Sequence, residues 1–107
     1  MFMIEEGARL FDELIVAIGI NPEKTSTFPD ALRLALLREV TSHLPNVRVT
    51  SFQNQFLVRF AKREQAGYIL RGIRNERDFD YERTMRHVNE DLQPSVSSVF
   101  LIPPRKL

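Results

Sequence analysis

Seven consecutive residues, Leu14-Ile15-Val16-Ala17-Ile18-Gly19-Ile20, carry no polar side chain. A run this short, and this rich in β-branched residues, reads as a strand covered on both faces, as in a parallel sheet. Parallel neighbours need a long crossover between them, usually a helix. The rest of the chain meets that demand. Ile4, Ala8 and Phe11 recur at helical spacing before the strand, so a short amphipathic helix is under way from the first residue. A polar loop with Pro22 and Lys24 follows the strand, and Pro29 suits the first turn of a helix. Leu32, Leu36, Leu37 and Val40 give that helix one apolar face, and Pro45-Asn46 ends it. Val47 to Phe52 alternates as a second strand. Phe56, Leu57, Phe60 and Ala61 mark a third helix that closes near Gly67. Tyr68-Ile69-Leu70 is a short strand running into Arg71-Gly72. Asp78 to Asp91 is a fourth helix with Tyr81, Met85, Val88 and Leu92 inward, and Ser97 to Ile102 is a last strand. The order α-β-α-β-α-β-α-β predicts a single α/β domain over residues 1–107. Its sheet is mainly parallel, and its ligands sit at the carboxyl ends of the strands.

Composition narrows the function classes. Fifteen Lys and Arg against fourteen Asp and Glu leave a formal charge of +1, which argues against a general nucleic-acid or membrane-surface binder. With no cysteine there is no disulfide frame, thiolate metal site or cysteine nucleophile, which fits a reducing compartment. No apolar run approaches the ~20 residues of a membrane span. The start lacks a basic n-region, so the expected location is cytoplasmic.

Two groups fall at strand ends: the loop holding Lys24, and Arg71-Gly72-Ile73-Arg74. Guanidinium groups take phosphate oxygens bidentately, and a glycine between them permits close backbone approach. The plainer alternative is two surface arginines paired with Asp78, Asp80 or Glu82. A lysine opposite two such arginines would complete a polyanion site. Asp78 and Glu82 share a helix face at four-residue spacing. They suit either a ribose hydroxyl or metal-bound water, or simply the dipole of the helix start. His43 and His87 lack spaced partners, and no P-loop, GxGxxG, HExxH or GxSxG motif is present.

Together these residues resemble a known signature. Arg71-Gly72-Ile73-Arg74, then Asp78-Phe79 and Tyr81-Glu82, is similar to the RG-hydrophobic-R…DFxYE pattern of bacterial phosphopantetheine adenylyltransferases. Asn89…Leu92…Pro94, Ser98-Val99-Phe100-Leu101-Ile102-Pro103, Ala8-Arg9-Leu10-Phe11-Asp12 and Ala17-Ile18…Asn21-Pro22…Lys24 extend the resemblance over essentially the whole chain. It implies a Rossmann-like nucleotidyltransferase fold and transfer of the adenylyl group of ATP to 4'-phosphopantetheine, giving dephospho-coenzyme A and pyrophosphate. It also implies use of Mg2+ and a cytoplasmic homohexamer. By the same resemblance, Lys24 and Arg74 are the catalytic candidates. Lys24, Leu57 and Arg71 bind phosphopantetheine, Gly72, Ile73, Arg74 and Glu82 bind ATP, and no residue is assigned to a metal. The match at Leu57 is looser, because Gln53-Asn54-Gln55 holds one residue more than the usual loop.

Two family segments have no counterpart here: a first strand ending in a TFDPxTxGH-type motif, and an Ile-Ser-Ser-Ser-type helix start after the last strand. The fold is therefore expected to be truncated at both ends. Slow turnover follows from that, as does marginal stability outside an oligomer, because the strands flanking the missing one either keep open edges or pair together. The alternatives from other classes are a non-catalytic phosphopantetheine- or coenzyme A-binding module that retains Lys24, Arg71 and Arg74, and an inactive gene fragment.

Overall fold

A computed structural model describes residues 1–20 and 29–105. The elements follow the predicted order: α1 (Phe2–Leu10), β1 (Leu14–Ile20), α2 (Asp30–Val40), β2 (Val47–Gln53), α3 (Leu57–Arg63), β3 (Tyr68–Gly72), α4 (Glu76–Leu92) and β4 (Ser97–Leu101). All strand pairing is parallel, but it lies in two sheets of two strands: β1 with β2, and β3 with β4. The described chain divides into two compact units, one over Met3–Gln55 with Met1, the other over Phe56–Leu107 with Phe2.

In the first unit Leu14 pairs with Val47 and Ile20 with Gln53, so the two strands run level along their whole length. The amide of Asn46 donates to the carbonyls of Ala8 at 2.7 Å and Phe11 at 3.1 Å, which takes up orphan acceptors where α1 ends. Pro29 stands at the N-cap of α2 and not inside its first turn. At the other end Thr41 is buried and its hydroxyl donates to Leu37 O at 2.6 Å, so its burial leaves no bare polar atom.

Burial is lower here than the sequence suggests. Only Ile18 of β1 is fully buried, and Leu32, Leu36 and Val40 of α2 are exposed. Two strands form too narrow a sheet to be covered on both faces, and each strand keeps one edge without a ladder partner among the described residues.

The second unit has the denser core: Val58 and Ala61 of α3, Ile69 of β3 and Val96, with Leu57, Ala66 and Leu92 packed against it. α3 ends in a left-handed residue. Gln65 has φ 61°, its N–H donates to Lys62 O at 3.0 Å, and the N–H of Ala66 donates to Ala61 O at 2.8 Å. This is a Schellman closure built on glutamine. The stop expected near Gly67 therefore falls earlier, and Gly67 has an open surrounding. On α4, Tyr81 and Val88 are exposed, against the expectation that both face inward, while Leu92 packs on the core. The helix is polar on most of its circumference, and its one fully buried residue is Glu82.

Candidate functional site

Side chains two apart in a strand share a face. Ile69 and Arg71 therefore stand on one side of β3. Ile69 enters the core, whereas Arg71 lies one residue from the strand's end, where α4 passes. A half-buried guanidinium must find a partner. Arg71 finds Glu82: Nε donates to Oε2 at 2.9 Å and Nη2 to Oε1 at 2.8 Å. The carboxylate side chain is 8% exposed and that of the arginine 42%. The pairing with Glu82 is the main reason the guanidinium is held above its ordinary pKa, and burial works the other way.

Gly72 is the last residue of β3, opposite Leu101, and no glycine among the described residues has a positive φ. A left-handed backbone is therefore not what calls for glycine at this position. Ile73 continues the ladder, donating its N–H to Leu101 O at 2.9 Å.

Arg74 opens the turn into α4. Asn75 is the N-cap, with Oδ1 accepting from Asp78 N at 2.8 Å. Asp78 Oδ2 in turn accepts from the backbone N–H of Arg74 at 3.1 Å and from its Nε at 3.0 Å. This reciprocal arrangement is a capping box shifted by one residue. It starts the helix at Glu76, earlier than Asp78. The sequence signal is an Asn followed three residues later by an acid. The hydrogen bond from Arg74 is the largest cause of the Asp78 carboxyl lying below the usual range. Arg74 remains 79% exposed.

Two carboxylates one helical turn apart on α4 thus each hold one arginine by its Nε edge, Arg71 at the end of β3 and Arg74 in the turn after it. The outer edge of each guanidinium is turned to neither carboxylate. The four charges cancel, so an anion would be recognised by directed N–H groups more than by bulk field. Leu57 begins α3 and packs against the core of the second unit. Lys24 lies outside the described residues. No group of three or more His, Cys, Asp or Glu able to hold a metal occurs among the described residues. His43 and His87 are exposed. Among the described residues, no helix is long and apolar enough to cross a membrane.

A family profile described as Cytidylyltransferase-like matches residues 1–105. The phosphopantetheine adenylyltransferase of Neisseria meningitidis serogroup C (strain 053442) is 52% identical over 107 residues, which is 100% of this chain and 63% of that protein. That of Chromobacterium violaceum is 55% identical over 106 residues, 99% of this chain and 65% of that protein. The chain therefore spans a little under two thirds of the length of these curated relatives.

Proposed function

The chain belongs to the cytidylyltransferase-like family, and we propose that it carries substrate-gripping elements of a nucleotidyltransferase that joins ATP to 4'-phosphopantetheine. In that reaction a phosphate oxygen of 4'-phosphopantetheine attacks the α-phosphorus of ATP. The new P–O bond forms as the bond to the β-phosphate oxygen breaks. Dephospho-coenzyme A and pyrophosphate result, in coenzyme A biosynthesis. The attacking phosphate is already ionised at neutral pH, so no general base is needed. What the protein supplies is position and charge stabilisation.

The observation that carries this reading is the Arg71-Gly72-Ile73-Arg74 segment at the carboxyl end of β3. Both of its guanidinium groups are fixed by their Nε edge. The likeness to the two relatives named above supports the choice of substrates. In this reading Lys24, Leu57 and Arg71 serve phosphopantetheine, and Gly72, Ile73, Arg74 and Glu82 serve ATP. Lys24 and Arg74 steady the transferring phosphoryl group. The family's chemistry calls for a divalent cation. We take this to be Mg2+ brought in on the ATP phosphates, since the nearby carboxylates Asp78 and Glu82 are committed to arginines. The reading also includes a cytoplasmic homo-oligomer, a hexamer as in the family. The exposed stripe Leu32, Leu36 and Val40, repeating every four residues along α2, supports a covered face.

Isothermal calorimetry with each substrate, alongside a pyrophosphate-release assay with Mg2+, tests the proposal. Saturable heat with both ligands and release of pyrophosphate are expected. Binding with no pyrophosphate would reduce the role to a holding module, and absence of heat with both ligands would overturn the reading.

A further inference from the structure

We infer that Asn75 and Asp78 are positioning residues for Arg74, so that the cap which starts α4 also sets the direction from which a guanidinium reaches the ATP phosphates. The inference rests on the function proposed above, in which Arg74 serves ATP. Order is least expected at Arg74. Its side chain is 79% exposed, and an unrestrained arginine on such a surface samples many rotamers that a ligand must first exclude. An exposed ion pair adds little to stability. What this one adds is direction.

The order comes from a short chain of contacts. The side-chain oxygen of Asn75 accepts the N–H of Asp78 at 2.8 Å, and its carbonyl accepts the N–H of Phe79 at 3.1 Å. These two bonds fix the backbone of Asp78 relative to the turn. Asp78 Oδ2 then accepts the backbone N–H of Arg74 at 3.1 Å and its Nε–H at 3.0 Å. One oxygen therefore fastens the arginine both at its backbone and at the far end of its aliphatic stem. The two Nη groups have no partner among the described residues. Their N–H donors lie in the guanidinium plane. Holding that plane at Nε sets the direction of its outer edge, which is the fork that takes two phosphate oxygens. A cap needs less than this. The helix start is served by Asn75 and the N–H of Asp78, and the bond to the Nε–H of Arg74 adds nothing to it.

Titration calorimetry with ATP and, separately, with 4'-phosphopantetheine distinguishes positioning from capping alone. Asp78→Asn keeps a side-chain oxygen but drops the charge that holds Nε. Asn75→Ala drops the cap, and Asn75→Ser keeps it. ATP binding is expected to weaken about fivefold for Asp78→Asn, about threefold for Asn75→Ala and less than about twofold for Asn75→Ser. Phosphopantetheine binding should change less than about twofold in all three. In an Arg74→Ala background the same substitutions should alter ATP affinity by less than about 1.5-fold, since residues acting as one unit are not additive. ATP affinity untouched by both Asp78→Asn and Asn75→Ala, or losses that persist in full without Arg74, would overturn the inference and leave the proposed function standing. A wild-type chain that takes up neither ligand would overturn both.

Should the variants fail to fold, hydrogen exchange at the Nε–H of Arg74 in the wild-type chain gives a second test. It is expected to be at least about fivefold slower than at the Nε–H of Arg77, an exposed arginine in the first turn of the same helix. Equal exchange at the two would overturn the inference.

Discussion

One oxygen of Asp78 accepts from both the backbone N–H and the Nε–H of Arg74, at 3.1 and 3.0 Å. That oxygen ties the last turn before α4 to the first turn of the helix, and the ionised form is the one the contacts favour. A carboxyl with a lowered folded pKa stabilises the fold wherever it is charged. Its contribution is full above the ordinary aspartate range near pH ~4, and it fades as the pH falls through the lower folded value. Urea midpoints measured from neutral pH down into that window should fall for the wild-type chain. They should fall less steeply for Asp78→Asn, which starts from a lower plateau.

Asn46 gives a larger effect. Its amide serves two backbone carbonyls at the end of α1, Ala8 and Phe11. Asn46→Ala leaves both without that donor, at a cost of about 1–3 kcal/mol in urea unfolding. Asn46→Asp should cost more, because a carboxylate then faces two carbonyl oxygens and supplies no hydrogen to either.

At Gln65 the expected change is a gain. The residue holds φ 61° to close α3, a conformation in which a Cβ is strained. Gln65→Gly should raise stability by about 0.5–1 kcal/mol, read from the denaturation midpoint. Glycine at Gly67, two residues on, supplies no such relief.

Val58 and Leu36 separate a core position from a surface one. Val58 is completely buried against Ala61, Ile69 and Val96, so Val58→Ala should cost about 2 kcal/mol. Leu36 is exposed, so Leu36→Glu should change the stability of an isolated chain by no more than about 0.5 kcal/mol. Light scattering of the same Leu36→Glu protein should show a smaller species than wild type if α2 lies in an oligomer contact. An unchanged mass would remove α2 from that role.

These examples also show how far the sequence could be read. The apolar run Leu14–Ile20 and the alternation after it specify parallel strands with helical crossovers, because few other arrangements satisfy those periods together. Periodicity says which residues form a face but not what covers it. The exposed Leu32, Leu36, Tyr81 and Val88 follow from that, as does the narrow covering of β1. Helix ends depend on local hydrogen bonds: the Asn75 cap moves the start of α4, and a strained glutamine stops α3 before the glycine that looks like its terminator. At the site, the arginine pair and the two candidate carboxylates are legible from spacing. Which acid holds which arginine is not, since it depends on the face of β3 that Arg71 occupies and on the rotation of α4 above it. Lys24, expected to complete the trio of cations, lies outside the described residues.

The parallel pairing has a consequence during synthesis. β1 can be zipped to β2 once Gln53 has emerged, whereas β3 must wait for Leu101. At roughly 5–20 residues per second on the ribosome, the first ladder is complete several seconds before the second can begin. The segment with the paired arginines thus matures last.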